Sequence, residues 1–162
     1  MNLTFTVPGP AATKNRRGLQ IMQRGEKSFP HSFKTAEVEN FEGKIAQFAL
    51  FARNEAGIHQ PIDAPLRIYI TVFRKLPKSA SNKKREMMIR GELAPTTRPD
   101  LDNYEKPIMD ALTGVIYNDD SQIVYKASAK YFDDGQGERI VIGIMPHIPG
   151  LPPQWSVFQG SG

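Results

Sequence analysis

The chain has no cysteine among its 162 residues, and histidine is nearly as scarce, with only His31, His59 and His147. Disulfide cross-links and thiolate metal centres are therefore excluded, and three scattered imidazoles without ligand-like spacing argue against a zinc site. No apolar run reaches the roughly 18 residues that a membrane helix needs, and the first ten residues carry neither a basic leader nor a signal-type apolar stretch. The expectation is a cytoplasmic protein with no membrane partner. Its length suits one domain, which at this size buries roughly 70% of the surface exposed by the unfolded chain.

What is abundant is charge, and it is segregated. The net charge of +4 conceals blocks of opposite sign: residues 1–30 hold five basic and one acidic residue, and residues 74–98 hold eight basic and two acidic. Residues 99–138 reverse this, with nine acidic against three basic. Solvated surface charge would explain a lone basic run. Two basic blocks paired with an acidic one instead suggest a surface that binds a polyanion around a group of carboxylates.

Patterning along the chain predicts an α+β single domain in β-α-β-α-β-β order, with helices packed on a mixed sheet. Leu3–Val7 alternates as a short strand and ends at Pro8-Gly9-Pro10. Residues 11–33 read as a basic loop with a possible short strand at Leu19–Gln23. Thr35 is placed to cap a helix whose apolar positions Val38, Phe41, Ile45, Phe48 and Ala52 recur at three- and four-residue steps, with Gly57 as its stop. Leu66, Ile68, Ile70 and Val72 alternate with polar and aromatic neighbours as a strand ending before Pro77. Ser79–Arg90 reads as a short charged helix. Ser121–Phe132 and Arg139–Pro146 read as two strands of a hairpin joined by Asp133-Asp134-Gly135-Gln136-Gly137. The domain is expected to span 1–147, followed by an irregular proline-rich tail at 148–162.

The acidic block is the chemical centre. Asp100 and Asp102 are one residue apart, so on extended chain both carboxylates project to one side and can share a cation. Asp102 and Glu105 have the spacing of a capping box, which sets the helix onset at Asp102 or Asn103 and leaves Pro107 near the first turn. Lys106 then lies one helical turn beyond Asp102, and Asp110 one turn beyond Lys106, opposite the apolar stripe of Leu101, Tyr104, Ile108, Ala111 and Leu112. A stop at Thr113-Gly114 lets the chain return with Asp119-Asp120. Oxygen-only donors suit magnesium, which would orient and acidify a water for phosphodiester hydrolysis, while Lys106 adds preorganised positive charge. The plainer alternative is a set of surface helix ion pairs, each contributing about 0.2–0.5 kcal/mol.

The run Asp100-Leu101-Asp102-Asn103, Lys106, Asp110-Ala111-Leu112-Thr113-Gly114 and Asn118-Asp119-Asp120-Ser121-Gln122 resembles the RusA family of Holliday junction resolvases. The opening strand with Pro8-Gly9-Pro10 and the basic loop resemble it more weakly, which makes 1–147 a RusA-like nuclease domain. The resemblance implies a homodimeric, magnesium-dependent endodeoxyribonuclease, with manganese as a substitute ion, that makes paired nicks in four-way DNA junctions during recombination and repair. By position it implies Asp100, Asp102 and Asp120 as metal ligands and Lys106 as the catalytic lysine, with Asp119 the less certain neighbour. It also implies a phage or prophage origin and action in a bacterial or phage-infected cell. DNA-backbone contacts are expected from Lys14, Arg16, Arg17, Lys75, Lys83, Lys84, Arg85 and Arg98. The tail has no counterpart in the resemblance. Two readings compete: a non-catalytic DNA-binding module on the same basic surface, and a nuclease for forks or flaps.

Overall fold

The computed structural model describes the backbone of residues 2–13, 17–24 and 27–150, and side chains for residues 2–13 and 34–150. Among the described residues, six strands and three helices follow in order: β1 (Leu3–Pro8), β2 (Arg17–Arg24), β3 (Lys27–Lys34), α1 (Ala36–Glu55), β4 (Leu66–Arg74), α2 (Asn82–Ile89), α3 (Leu101–Leu112), β5 (Ile123–Phe132) and β6 (Arg139–Pro146), with a 3-10 turn at Asp120–Gln122. The main sheet has the order β1-β6-β4-β5 and is mixed, β4 and β5 being parallel and the other pairs antiparallel.

Alternation in the strands sends Leu3, Phe5 and Val7, then Leu66, Ile68, Ile70 and Val72, then Ile140, Ile142 and Ile144 to one buried side. On that side lie Val38, Phe41, Ile45 and Ala49 of α1 with Tyr104, Ile108, Ala111 and Leu112 of α3. The opposite side carries aromatic and charged residues: Tyr69 lies 5.7 Å from Tyr125, Phe73 stacks 6.0 Å from Tyr131, and the Arg139 guanidinium sits 3.7 Å above the Phe73 ring.

The expected hairpin between the last two strands does not form. β6 pairs with β1 on one side and β4 on the other, so β4 separates it from β5. Strand composition explains the choice. Ile140, Ile142 and Ile144 are fully buried, and each contributes about 1.5–3 kcal/mol relative to exposure, which favours an interior position for β6. β5 turns Lys126 and Lys130 to the same side, so it belongs at an edge. The turn residues 133–138 instead carry the chain across the end of β4, where the Asp133 amide donates to the Arg74 carbonyl (2.7 Å) and the Lys75 amide to the Glu138 carboxylate (3.2 Å).

A second departure is at residues 11–33. The expected loop contains an antiparallel hairpin, β2 with β3, forming its own two-stranded sheet. Pro30, which has no N–H to give, is tolerated because a two-stranded ribbon is all edge. At α1, Thr35 does occupy the cap position, but its hydroxyl makes no cap bond and is buried without a partner. Gly57, at φ +71, follows the C-cap residue Ala56 as the stop.

Because β4 and β5 are parallel, the chain between them must cross from one end of the sheet to the other, and α3 is part of that crossover. This places the start of α3 at the carboxyl ends of β4 and β5, and its far end near the start of β5.

Candidate active site

The segment entering α3 is held from the sheet. Arg74, the last residue of β4, donates from its two terminal nitrogens to the carbonyls of Thr97 and Arg98, both at 3.1 Å. Lys130 of β5 donates to the carbonyls of Thr97 (2.9 Å) and Pro99 (3.0 Å). The Arg98–Pro99 peptide is cis. Helix onset falls earlier than expected: Asp100 is the N-cap and Asp102 lies in the first turn, so the two aspartates do not share an extended segment. No capping box forms at Asp102, because the Glu105 carboxylate accepts instead from Lys126 of β5. Pro107 therefore sits in the second turn, where its missing N–H leaves the Asn103 carbonyl without its helical donor.

Asp100 is exposed, and its carboxylate makes no cap bond. Negative charge at a helix start is favoured by the backbone dipoles, which suits carboxylates at the N-cap Asp100 and at Asp102 in the first turn. Lys106 and Asp110 follow at i,i+4 steps on the solvent-facing side of α3 and pair at 2.5 Å. The Lys106 ammonium is also 4.0 Å from an Asp120 oxygen, which brings the turn before β5 to the helix. Lys34, at the end of β3, pairs with Glu42 of α1 (2.7 Å) and lies 3.8 Å from Asp110. The hairpin carrying the basic block therefore ends beside the acidic face of α3.

The run Asn118–Gln122 has a division of labour that its sequence did not disclose. The Asp119 carboxylate accepts from the Ser121 amide at 2.8 Å and caps the 3-10 turn. Hydrogen bonds from the Ser121 hydroxyl and then from its amide hold the Asp119 carboxyl below the ordinary carboxylate range. Gln122 accepts from the amides of Asn118 (2.8 Å) and Asp119 (3.0 Å) and donates to the carbonyls of Ile62 (2.8 Å) and Ala64 (3.1 Å). Asp119 and Gln122 build the turn and fasten it to the body, and Asp120 is left presented toward Lys106. Upstream, Gly114 at φ +76 reverses the chain, its amide donating to the Tyr117 carbonyl at 2.7 Å. Tyr117 is fully buried, and burial pushes its phenol well above the ordinary tyrosine range. Its hydroxyl donates to the Met109 carbonyl at 3.0 Å, locking the reversal to the end of α3.

Among the described residues, no three Asp, Glu or His side chains stand close enough together to hold a cation as they are. Asp120, Lys106 and Asp110 are brought together; Asp102 stands one helical turn before Lys106, and Asp100 is the N-cap of the same helix. Of the residues expected to contact DNA, Lys83 and Lys84 are exposed on α2, and Lys75 and Arg98 are exposed at the end of β4 and the start of the α3 loop. Arg85 is half-buried and donates to the Pro77 carbonyl (3.3 Å). Lys14 and Arg16 lie outside the described residues; Arg17 opens β2, and its side chain is likewise outside them. Sequence reasoning overlooked Arg74 and Lys130 as supports of the α3 loop. A signal existed: Lys126 and Lys130 are four residues apart and so share one face of β5 with Ser128, in register with the core residues Ile68 and Val72, where a strand facing only apolar neighbours would not place lysines.

The fold and site define a small α+β protein with a solvent-open acidic centre that holds Lys106 and ends beside Lys34. Residues 8–145 match the family model described as Endodeoxyribonuclease RusA, so the chain belongs to the RusA endodeoxyribonuclease family, a Holliday junction resolvase family, and is a nuclease. It is also 38% identical over 104 residues, 61% of this chain and 73% of the other, to Uncharacterized protein YqaN of Bacillus subtilis (strain 168).

Proposed function

We propose that the protein is a magnesium-dependent resolvase that nicks four-way DNA junctions in recombination and repair, working as a homodimer in the cytoplasm of a bacterial or phage-infected cell. The observation that carries the reading is the meeting of Lys106 with Asp110 and Asp120 on the exposed face of the same helix that begins at Asp100 and Asp102. Asp100, Asp102 and Asp120 supply the metal-ligating oxygens in this reading, and Lys106 the catalytic positive charge. An all-oxygen donor set fits magnesium, or manganese in its place. Magnesium commonly uses one or two protein carboxylates and fills the remaining positions with waters and substrate phosphate oxygens, so a closed three-carboxylate cage is not required. The ion would supply charge neutralisation at the phosphate and a more acidic water. Lys106 stabilises charge building on the scissile phosphate.

Flanking cations serve binding. Lys75, Lys83, Lys84, Arg85 and Arg98, with Lys14, Arg16 and Arg17 near the first hairpin, neutralise phosphates, and affinity accordingly falls with added salt. Two copies related by a dyad match the approximate two-fold symmetry of a junction and its need for two opposed cuts.

The test is Asp102→Asn, with four-way junction, fork and linear duplex compared at one salt concentration. Magnesium-dependent cleavage is lost while junction binding persists, and the unmodified protein cuts the junction in preference to the fork and duplex. Turnover by the Asp102→Asn protein would remove the site assignment. Preference for the fork would move the substrate to branched DNA of another shape.

A further inference from the structure

We propose that Arg74 and Lys130 are positioning residues that hold the 97–100 segment, and hence the backbone that carries Asp100 and Asp102, in one conformation before any metal arrives. This rests on the reading that Asp100 and Asp102 bind magnesium. The segment belongs to no helix or strand, and such chain ordinarily samples many conformations. Here it receives four hydrogen bonds from two cations: Arg74 to Thr97 and Arg98, and Lys130 to Thr97 and Pro99. Charged donors make bonds roughly twice as strong as neutral ones. Both cations come from the parallel pair β4 and β5, where Arg74 lies opposite Phe132 and Lys130 opposite Val72, so the clamp is anchored in the main sheet.

The geometry distinguishes this role from phosphate binding. Both terminal nitrogens of Arg74 and the ammonium of Lys130 are directed at backbone carbonyls within the protein, and each side chain is half-buried. The carbonyls they engage belong to three consecutive residues that end one short of Asp100. A shift of the backbone there moves the Asp100 carboxylate directly and Asp102 with the first turn of α3. Groups that orient metal ligands without touching the metal typically change metal affinity or activity by about 10- to 100-fold when removed.

The experiment uses the full-length protein, with Arg74→Gln, Lys130→Gln and Lys130→Arg as variants and Asp102→Asn as a control. Two readouts besides cleavage are taken: the magnesium concentration giving half-maximal thermal stabilisation, and amide hydrogen exchange of residues 97–103 in EDTA. The two glutamine variants should need about 10- to 100-fold more magnesium, and should exchange those amides faster in the absence of metal. Lys130→Arg, which keeps a charged donor, should restore both. Junction binding in EDTA should match the unmodified protein. If Lys130→Gln does not fold, Arg74→Gln and Lys130→Arg decide the matter. Unmodified exchange and an unmodified magnesium midpoint in the folded glutamine variants would overturn the clamp. So would loss of junction binding in EDTA with that midpoint unchanged, since the cations would then be phosphate contacts. If instead Asp102→Asn leaves magnesium stabilisation and cleavage intact, the metal-site reading fails; the exchange data still report separately whether the clamp orders the loop.

Discussion

Replacing Lys106 by methionine should separate metal binding from catalysis. The ammonium is 2.5 Å from an Asp110 oxygen and 4.0 Å from an Asp120 oxygen, with side-chain exposures of 48% for Lys106, 22% for Asp110 and 49% for Asp120. Two unit charges 4 Å apart interact by about 1 kcal/mol in water and about 4 kcal/mol at the effective dielectric of a protein surface. The half-exposure of Lys106 and Asp120 puts this pair near the lower figure. An ammonium that occupies carboxylate oxygens competes with a divalent cation for them. Removing it should therefore strengthen magnesium binding, by about fivefold for about 1 kcal/mol. Turnover should move the other way, because a charge aimed at the developing transition state is typically worth about 10²–10³ in rate. Stability should barely change: the i,i+4 pair contributes about 0.2–0.5 kcal/mol, and Lys34 remains 3.8 Å from Asp110. The measurements are magnesium titration by thermal shift and single-turnover cleavage of a four-way junction at saturating magnesium. If Lys106→Met cleaves within about threefold of the unmodified protein, a loss far below that expected for a catalytic charge, or binds magnesium more weakly, the lysine is a surface ion pair and the reasoning is wrong.

The paired aspartates before β5 should respond in opposite ways. Asp120→Asn abolishes cleavage with the melting temperature nearly unchanged, whereas Asp119→Ala removes the cap on Ser121, lowers the melting temperature and reduces cleavage only as far as the turn loosens; calorimetry and cleavage of both variants test this, and the reverse pattern would reassign the metal ligand. Tyr117 should give the protein an alkaline limit. Its phenol is raised by burial, so the unfolded chain loses this proton first. The stability it contributes is present below about pH 10, the ordinary tyrosine value, and is lost as pH rises beyond it. Tyr117→Phe should flatten that limb in a pH series of chemical denaturation. At neutral pH it should cost only about 0.5–1.5 kcal/mol, since the Met109 carbonyl also accepts from the amide and hydroxyl of Thr113. An unchanged alkaline limb would place the titration elsewhere.

Local pattern was enough for what is local. The three- and four-residue steps from Val38 to Ala52 specify α1, the alternation from Leu66 to Val72 specifies β4, and the spacing of Asp102, Lys106 and Asp110 puts them on one face of a helix, because side-chain direction follows directly from backbone period. The same residues could not say which strand lies beside which. The turn at 133–138 looked like a hairpin turn, yet β6 is inserted between β1 and β4 because its isoleucines are best buried there, a competition between whole strands for the interior. Nor could spacing distinguish Asp119 from Asp120, or set the onset of α3 at Asp100 rather than Asp102. Those outcomes depend on partners far away in the chain: Gln122 reaching Ile62 and Ala64, Lys126 drawing Glu105 out of a capping box, and Arg74 and Lys130 holding the loop ahead of the helix. The chemical character of the site was thus written in residue types and short intervals. Its arrangement was decided by the parallel pairing of β4 with β5, which brings cations from two strands to one loop, because hydrogen bonds between distant residues exist only once the chain has closed the distance between them.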